Sequence, residues 1–571
     1  MKMNTHKKYN TEVTGAEAVI LALLDEQVTD IFGYPGGAIM PVYDALYDYM
    51  DQLNHYLVRH EQGATHAAQG YSRVSGKTGV VLATSGPGAT NLITGIADAQ
   101  IDSTPMVCIT GQVHSHLLGT DAFQETDVVG ISMPVTKWNI QVTKAEDIAP
   151  AIAKAFYIAG TGRPGPVLVD ITKDAQFGKT TYKYEKCESI RSYFPCPKVK
   201  DEDVLKAAEL INNAQRPYIL CGHGVLLSGA EKQLLAFAEK ADVPVASTLL
   251  GLGAFPPKHP LYVGYLGMHG NYGPNLLTNE CDLLIAIGMR FDDRVTGNVS
   301  KYAKQAKVVH FEIDPSEVNK IIPADAAVLG DAKEALELIL PKIKVAKHTD
   351  WLKRFEDCNT IEFEKVIKRA VNPTSDKLLM AEVIDKFHKL SEGNAIVVTD
   401  VGQHQMITSR YYKPNIPNYF VTSGGLGTMG FGLPAAIGAK VALPNTEVVT
   451  VLGDGGFQMT IQELGTIMQS SIAVKILVLN NNFLGMVRQW QQLFFDRRYS
   501  FTEMKNPNFV AIANGYNIKG KKVTERKDLN QALQEMYESK EAYLLEVVVE
   551  NEENVFPMVA TGASVAEIRL E

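Results

Sequence analysis

The chain lacks the features of a membrane or secreted protein. No apolar run approaches the length of about 18 residues that a membrane-spanning helix needs, and the segment from Met1 to Glu12 is polar, without the apolar core of a secretory signal. The six cysteines are scattered, with no Cys-x-x-Cys pair or other metal-ligand spacing, which favours reduced and mostly structural thiols. We therefore expect a cytoplasmic protein that does not contact a membrane.

An excess of positive charge is also missing. The formal net charge is −9, and no basic stripe runs along the chain. Because proteins bind nucleic acids through clustered Lys and Arg side chains, we expect no nucleic-acid partner.

What the chain does have is length and a regular alternation of strand-like and helical patterns. At 571 residues it exceeds the size at which one hydrophobic core stops growing, so several domains are expected. The alternation indicates βαβ units and an α/β fold with mainly parallel sheets. We predict three doubly wound domains, over residues 1–185, 200–345 and 373–571, separated by a Pro- and charge-containing stretch (180–200) and by a charged segment (348–369).

The first and third of these blocks resemble each other. Residues 80–111 and residues 448–481 each have the pattern of a strand, a glycine turn, a helix and a second strand. Either the two blocks share a fold, or the likeness reflects only what all doubly wound sheets have in common.

The third block contains a candidate diphosphate and metal site. Gly453-Asp454-Gly455 follows one apolar strand (448–452), and Asn480-Asn481 follows the next (474–479), with a helix (461–469) between them. A glycine turn exposes backbone N–H groups to a diphosphate, and Asp454 and Asn481 offer the oxygen ligands that Mg²⁺ prefers beside phosphate. Both ligands would lie at the carboxyl edge of a parallel sheet, where cofactors bind. In isolation, Gly-Asp-Gly is also a common turn.

The middle block contains two candidate dinucleotide segments. Gly222-His223-Gly224 follows an apolar strand, which alone is weak support because many strand-to-helix connections look the same. The stretch 283–296 is more informative, since an apolar strand ends in Gly288 and a cluster of charged residues follows. The alternative for this stretch is a solvated loop of paired charges.

An ordered set of motifs extends along the whole chain: Phe32-Gly33-Tyr34-Pro35-Gly36-Gly37, Arg59-His60-Glu61-Gln62-Gly63, Thr84 to Asn91, Gly119 to Glu125, Gly162 to Val167, Arg290 to Gly297, Gly425 to Pro434 and Gly485 to Trp490. From about Thr14 to its C-terminus the chain resembles the catalytic subunit of acetohydroxyacid synthase, also called acetolactate synthase, of the FAD-containing biosynthetic type. Any one motif could occur by coincidence, whereas the ordered set is highly specific.

The resemblance implies a thiamine diphosphate enzyme that uses Mg²⁺ and binds a largely structural FAD. The cofactor stabilises a carbanion. The enzyme would decarboxylate pyruvate and join the two-carbon unit to a second 2-oxo acid, pyruvate or 2-oxobutanoate. The product would be 2-acetolactate or 2-aceto-2-hydroxybutanoate, for branched-chain amino acid biosynthesis.

The resemblance also assigns roles to residues. Glu61 would bond a ring nitrogen of the aminopyrimidine and activate the cofactor, and it could also be a helix N-terminal carboxylate stabilised by the dipole. The other residues placed at the reacting centre or its approach are Gly37, Phe123, Gln124 and Lys173. Those placed against thiamine diphosphate are Gly402, Gln403, His404, Gly427, Met429, Gly455 and Gly456, with Met429 as an apolar wedge.

Three further sets complete the predicted site. The metal ligands are Asp454, Asn481 and the backbone carbonyl of Phe483. The expected FAD contacts are Arg163, Gly222, Gly224, Met268, His269, Gly288, Arg290, Asp292, Val295, Glu312 and Asp331. The expected substrate contacts are Arg294, whose planar fork suits a carboxylate, Met486, and Trp490, which would favour 2-oxobutanoate and could otherwise be a core or interface residue.

Partners follow from the same resemblance. Glu61 and Asp454 fall in different blocks, and in the family such residues meet between two subunits, so a homodimer or a higher homo-oligomer is expected. A separate small regulatory subunit is also implied. The alternatives are a catabolic acetolactate synthase, a thiamine-dependent pyruvate oxidase or decarboxylase, and a non-catalytic homologue that acts only in assembly.

Overall fold

A computed structural model describes residues 8–571. Three six-stranded parallel sheets organise the described chain. The first domain contains strands β1 (Glu12–Thr14), β2 (Asp30–Gly33), β3 (Asn54–Leu57), β4 (Gly79–Ala83), β5 (Met106–Gln112), β6 (Trp138–Val142), β7 (Pro166–Thr172) and β8 (Lys179–Thr181). Its helices are α1 (Gly15–Asp25), α2 (Met40–Tyr47), α3 (Glu61–Ser75), α4 (Pro87–Asn91), α5 (Ile93–Ile101), α6 (Val128–Ser132), α7 (Ile148–Gly160) and α8 (Lys173–Phe177).

The central domain contains strands β9 (Pro217–Cys221), β10 (Val245–Ser247), β11 (Tyr262–Tyr265), β12 (Leu283–Ile287), β13 (Lys307–Glu312) and β14 (Ala326–Leu329). The helices of this part of the chain are α9 (Asp201–Asn213), α10 (His223–Ser228), α11 (Glu231–Ala241), α12 (Tyr272–Thr278), α13 (Asp293–Thr296), α14 (Ala332–Ile339), α15 (Thr349–Glu362) and α16 (Lys368–Val371).

The third domain contains strands β15 (Ile396–Thr399), β16 (Phe420–Thr422), β17 (Val448–Gly453), β18 (Lys475–Asn480), β19 (Lys519–Val523) and β20 (Tyr543–Val548). Its helices are α17 (Met380–Ser391), α18 (Gln403–Tyr411), α19 (Gly432–Ala442), α20 (Asp454–Met459), α21 (Leu464–Ser470), α22 (Gly485–Phe494), α23 (Phe509–Gly515) and α24 (Arg526–Glu538).

The order of strands relates the domains to one another. The first sheet runs β3-β2-β4-β5-β7-β6 and the third runs β16-β15-β17-β18-β20-β19, which is the same order when strands are counted along each domain. The likeness seen between residues 80–111 and 448–481 therefore reflects a shared fold. The central sheet runs β11-β10-β9-β12-β13-β14, the order of a dinucleotide-binding sheet, with its reversal between β9 and β12.

The strands are buried because helices cover both faces of each sheet. Every residue of β4, β5, β17 and β18 is buried, which is why these strands are nearly continuous apolar runs in the sequence. The α/β class predicted from that pattern is confirmed. None of the helices formed by residues 8–571 is both long enough and apolar enough to cross a membrane.

The charged segment 348–369 differs from the expected separator. It is helical, with α15 and α16 joined by a π-helical turn at Phe363–Ile367. Trp351 and Phe355 are buried in the apolar cluster that contains Tyr218 of the central sheet. The many charges belong to the outer face of this helix, and the sparse apolar residues on its inner face attach it to the central domain.

One close helix pair joins the first and third domains. Helices α3 and α19 approach so closely that a Cβ on Gly70 would lie 1.9 Å from the carbonyl oxygen of Ala435, and one on Gly438 would lie 1.7 Å from that of Ala67. The residue number rises from Ala67 to Gly70 along α3 while that of the contacted residue falls from Gly438 to Ala435 along α19, so the helices are antiparallel. Glu61, at the start of α3, therefore lies at the opposite end of the pair from the start of α19.

Candidate active site

The predicted metal residues meet at the carboxyl edge of the third sheet. Asp454 follows β17 directly and Asn481 follows β18, and both line a small cavity of about 50 Å³ with Phe483, Gly455 and Gly456. Asp454 and Asn481 are 1% and 2% exposed. The Oδ1 atom of Asn481 accepts a hydrogen bond from the N–H of Phe483 at 3.2 Å.

The loop expected after β17 is a helix. Asp454 begins α20, although the Gly-Asp-Gly sequence suggested a glycine turn. An acidic residue is favourable in a first helical turn, and the first N–H groups of a helix have no partner within it. Backbone N–H groups still surround the Asp454 carboxyl at the start of the helix, and those of Asp454 and Gly455 oppose the rise that burial causes in its pKa.

Asn506 is a polar neighbour that the sequence did not reveal. Its Nδ2 atom donates to Oδ2 of Asp454 at 2.6 Å and to Oδ1 of Asn480 at 3.0 Å. Burial raises the pKa of the Asp454 carboxyl to about 6, and the bond from Asn506 opposes that rise. Asn506 lies in an irregular segment far along the chain, so neither periodicity nor spacing singles it out.

The residues predicted to hold the diphosphate lie beside the metal residues. Gly402, Gln403 and His404 line the small cavity, at the start of α18. Burial lowers the pKa of His404 to about 3, so the ring is neutral. Its Nε2 atom is buried without a hydrogen-bond partner among residues 8–571. A buried polar atom of this kind implies a ligand at this position.

Gly427 and Met429 approach the same place from the loop before α19. Gly427 has a φ of +70°, and a Cβ on Gly455 would lie 3.6 Å from Cε of Met429, so the Met429 side chain reaches over that glycine. Asp400 fixes this loop by accepting from the N–H groups of Gly430 at 2.9 Å and Gly432 at 3.1 Å. Burial raises the pKa of Asp400 to about 6.

A larger cavity of about 940 Å³ adjoins this edge and extends into the central domain. Its volume is within the range typical of small-molecule sites. Of the predicted FAD contacts, all except Gly222 line it: Arg163, Gly224, Met268, His269, Gly288, Arg290, Asp292, Val295, Glu312 and Asp331. The same cavity is lined by Gly402, Gly427 and Met429 and by the three expected substrate residues Arg294, Met486 and Trp490.

The glycines mark the point where the order of strands in the central sheet reverses. Gly222 follows β9 and Gly288 follows β12, and a Cβ on Gly222 would lie 2.4 Å from the carbonyl oxygen of Gly288. A Cβ on Gly224 would lie 2.7 Å from the Gly288 Cα. Gly222 therefore allows the two loops to meet behind the cavity wall, and Gly224 and Gly288 face the cavity.

Two of the predicted acidic contacts also have structural roles. Asp292 caps α13 by accepting from the N–H groups of Arg294 at 2.9 Å and Val295 at 3.1 Å. Asp331 caps α14 in the same way. Arg163 comes from the first domain and donates to Asp314 at 3.2 Å and Glu317 at 3.0 Å, so it anchors the end of the cavity beside Glu312.

Glu312 gives a pH prediction for the protein without bound flavin. Burial raises the pKa of this carboxyl from 4.5 to about 7. The folded state then holds the proton more tightly than the unfolded state, so the free energy of unfolding falls as the pH rises from about 4.5 to about 7. Replacing Glu312 by Gln removes this loss, and we expect the variant to be more stable at pH 8 by about 1–3 kcal/mol.

Thermal unfolding of the flavin-free wild type and Glu312→Gln at pH 5 and pH 8 tests this expectation. The Tm difference should be large at pH 8 and small at pH 5. A difference that does not change with pH would contradict the assigned ionisation.

The residues predicted in the first domain form a separate cluster. Oε2 of Glu61 accepts from Asn91 at 2.9 Å, and a Cβ on Gly88 would lie 3.2 Å from its Oε1 atom. Gln124 lies against Gly86, and the neighbouring Phe123 ring is 88% exposed. Lys173 starts α8 after β7, at the same edge of the sheet.

Gly37 belongs to this edge as well. It follows β2, with open space around it, and Thr84 contacts the adjacent Gly36 and Ala38. Glu61, Gly37, Phe123, Gln124 and Lys173 line neither of the two cavities described above. Within one chain, these five residues therefore do not share a cavity with the residues predicted to bind the diphosphate.

The comparisons with known proteins agree with this architecture. The family described as "Thiamine pyrophosphate enzyme" matches in three parts, with its N-terminal TPP binding domain at residues 13–131, its central domain at 204–339 and its C-terminal TPP binding domain at 400–547. The fold and the site thus define a thiamine pyrophosphate enzyme.

The similar proteins narrow this class. The chain is 45% identical to the acetolactate synthase large subunit of Buchnera aphidicola from Acyrthosiphon pisum over 98% of both chains. It is 45% identical to the acetolactate synthase isozyme 2 large subunit of Escherichia coli K12, over 97% of this chain and 99% of that one. It is also 45% identical to the probable acetolactate synthase large subunit of Methanocaldococcus jannaschii, over 97% and 95%. The chain belongs to the acetolactate synthase large-subunit family, as its motifs predicted.

Proposed function

We propose that this chain carries out acetolactate synthesis, in which pyruvate is decarboxylated and its two-carbon unit is joined to pyruvate or 2-oxobutanoate. The products would be 2-acetolactate and 2-aceto-2-hydroxybutanoate, at the start of branched-chain amino acid biosynthesis. The observation that carries the proposal is the 940 Å³ cavity, which is lined together by residues predicted to bind thiamine diphosphate, the flavin and the second 2-oxo acid. Membership of the acetolactate synthase large-subunit family also supports the proposal, since the similarity extends over 98% of the chain.

The chain's own residues would hold and orient the reactants. Thiamine diphosphate, when bound, supplies carbanion stabilisation. Glu61 would hold a proton at a ring nitrogen of the aminopyrimidine, and Met429, whose side chain reaches over Gly455, would contact the cofactor as an apolar wedge. Arg294 would pair with the carboxylate of the second 2-oxo acid; its side chain is 59% exposed, and its only ion pair among residues 8–571 is with the exposed Asp293 at 3.7 Å. Gln124 and Phe123 would exclude water from the reacting centre.

The residues beside Asp454 fit a Mg²⁺ ion bound together with a diphosphate. No group of three or more His, Cys, Asp or Glu side chains suited to a metal occurs in the described part of the chain. Asp454 and Asn481 supply two oxygen ligands, and we assign the Phe483 carbonyl as a third. Mg²⁺ commonly takes one or two carboxylates and completes its octahedron with phosphate and water oxygens, so this set is sufficient.

The central cavity fits FAD in a structural role. Gly224 and Gly288 keep the wall open where the sheet reverses, as a dinucleotide requires. His269 is buried at this wall, and burial lowers its pKa to about 3 while a backbone interaction with Pro557 opposes that shift. A ligand would satisfy the ring nitrogen that does not face Pro557. The proposed ligation needs no oxidation or reduction.

We also propose that the complete site forms between two copies of the chain. In the antiparallel pair, Arg73 of α3 lies opposite Gly432, the first residue of α19. Glu61 lies 12 residues before Arg73, which is roughly 18 Å along the helix, so it is far from the start of α19. Gly432 is bonded to Asp400 at the diphosphate edge. A second copy can supply Glu61 to this edge, and it would also cover the exposed Phe123 ring. A two-fold dimer would contain two such sites.

Two further assignments belong to the proposal. The similar proteins are named large subunits, which supports a separate small regulatory partner for this chain. All six cysteines are free, which supports a reducing compartment and hence a cytoplasmic location.

Product analysis tests the function. Purified protein with Mg²⁺, thiamine diphosphate and FAD should convert pyruvate to 2-acetolactate, and pyruvate with 2-oxobutanoate mainly to 2-aceto-2-hydroxybutanoate. Acetaldehyde, acetyl phosphate or acetate as the main product would identify a decarboxylase or oxidase instead. Formation of 2-acetolactate alone from the mixture would indicate the catabolic type.

Trp490 gives a prediction about substrate choice. Its ring lines the cavity beside Met486, with the Phe494 ring 5.2 Å away on the outer side. Replacing Trp490 by Leu should remove the wall that selects the extra methylene of 2-oxobutanoate. We expect the preference over pyruvate to fall by about tenfold or more, measured by competition between the two acceptors. Phe494→Leu, one turn along the same helix, should leave the preference unchanged, and equal effects of both variants would contradict the assignment.

A further inference from the structure

Three buried amides connect the C-terminal segment to the metal residues. Gln403, Gln489 and Asn481 are 3%, 0% and 2% exposed. Nδ2 of Asn481 donates to Oε1 of Gln403 at 3.3 Å, and Nε2 of Gln403 donates to Oε1 of Gln489 at 2.9 Å. The Gln489 side chain then meets the backbone of Val555. This series of contacts is called the amide relay below.

Backbone groups fix the orientation of each amide in the relay. Oε1 of Gln489 accepts from the Val555 N–H at 2.9 Å, and its Nε2 donates to the Val555 carbonyl at 3.1 Å. Nε2 of Gln403 donates to the Glu553 carbonyl at 2.9 Å as well as to Gln489. Since a backbone N–H can only donate and a carbonyl can only accept, neither side chain can exchange its oxygen and nitrogen without losing hydrogen bonds.

The consequence reaches Asn481. With Gln403 held in this way, its Oε1 atom faces Nδ2 of Asn481. The Asn481 oxygen is then on the other side of the amide, where it accepts from the Phe483 N–H at 3.2 Å, in the cavity that Asp454 also lines. The space is kept clear by Gly485, because a Cβ there would lie 2.2 Å from Oε1 of Gln403 and 2.6 Å from Nδ2 of Asn481. A side chain at position 485 would separate the two amides.

We propose that Gln489 is a positioning residue that, together with the C-terminal backbone at Glu553 and Val555, holds the Asn481 amide with its oxygen toward the Mg²⁺ site. This inference rests on the proposed metal site. Gln489 itself touches no reacting group, since it acts through Gln403. It lies next to Trp490 on α22, so the same helix would present the substrate wall on one side and support the metal ligand on the other.

The proposal is tested by measuring the affinity for Mg²⁺ in the presence of thiamine diphosphate. The signal is a spectroscopic change of the bound cofactor, so the measurement does not depend on turnover. Gln489→Leu should weaken Mg²⁺ binding by about 10- to 100-fold, the usual effect of losing a group that orients a metal ligand. Gln489→Glu keeps the acceptor for Gln403 and should lie closer to the wild type. Gln491→Leu is the matched control, because Gln491 is on the same helix and also makes two hydrogen bonds, to Ser500 and Thr502.

A second background separates orientation from general damage. A carboxylate has two equivalent oxygens and no N–H to donate to Oε1 of Gln403, so in an Asn481→Asp chain the orientation imposed by the relay should no longer favour Mg²⁺ binding. In the Asn481→Asp background, Gln489→Leu should then change the affinity for Mg²⁺ by no more than about threefold. The proposal would be overturned if Gln489→Leu lowered the affinity for Mg²⁺ equally in both backgrounds, or did not lower it at all. The Phe483 N–H alone would then orient Asn481. Failure of the wild type itself to bind Mg²⁺ with thiamine diphosphate would instead overturn the metal site.

Discussion

Replacing Glu61 by Gln is expected to lower kcat by about 10²- to 10⁴-fold, the range found when a positioned acid or base is removed. The Gln side chain keeps the size of Glu and can still bond Asn91, which now donates to Oε2 of Glu61 at 2.9 Å. It cannot hold the proton at the aminopyrimidine nitrogen. The binding of thiamine diphosphate and Mg²⁺ should therefore persist while the turnover of pyruvate is lost.

Glu463 provides a matched control for this variant. It is also a buried glutamate, and it accepts from the Arg59 N–H at 3.0 Å, close to the start of α3. Its pKa is raised by burial to about 6. Glu463→Gln should leave the rate within a few-fold of the wild type. A Glu61→Gln enzyme that retained a tenth or more of the wild-type rate would contradict the catalytic assignment.

Replacing Arg410 by Met is expected to destabilise the protein by about 3–5 kcal/mol, because it leaves a buried carboxylate without its cation. Arg410 and Glu362 form an ion pair in which both side chains are 1% exposed. Arg410 also donates to the carbonyl oxygens of His269 at 2.7 Å and Gly270 at 2.8 Å. If the flavin binds as proposed, its affinity should fall together with stability, since Met268 and His269 line the part of the cavity proposed for FAD.

The double variant Arg410→Met with Glu362→Met distinguishes the two roles. Removing both charges should recover much of the lost stability, as buried ion pairs replaced by apolar residues often do. FAD binding should stay weak, because the bonds from Arg410 to the carbonyls of His269 and Gly270 are still absent and those that Glu362 accepts from Asn271 and Tyr272 are lost as well. Chemical denaturation and flavin titration measure the two quantities separately. Recovery of FAD affinity along with stability would contradict a specific link between Arg410 and the flavin loop.

The sequence predicted the features that depend on local patterns. Fully buried parallel strands are apolar runs, so β17 and β18 were placed to within one residue, and Asp454 and Asn481 directly follow the ends of these strands. The likeness between the first and third domains was also visible in the chain. Both of these predictions rest on the period and length of apolar segments, which burial on both faces of a sheet enforces.

Contacts between distant segments could not be predicted in this way. Asn506 reaches Asp454 from an irregular loop, and Gln489 reaches Gln403 across the third domain. The helical state of the segment 348–369 depends on Trp351 and Phe355 packing against the central sheet, which a charged sequence conceals. The residue roles implied by the family resemblance stay predictions. Most of the expected FAD contacts line the large cavity, whereas the five residues expected at the reacting centre line neither cavity within one chain.

Mixed dimers test most directly whether Glu61 of one chain serves the proposed metal site of another. Two inactive variants, Glu61→Gln and Asp454→Ala, can be co-expressed with different affinity tags and purified through both tags. In a mixed dimer one site would carry both substitutions and the other neither, so the proposal predicts about one half of the wild-type activity. If both residues acted within one chain, every site would carry one substitution, and activity no higher than that of the single variants would contradict the shared site.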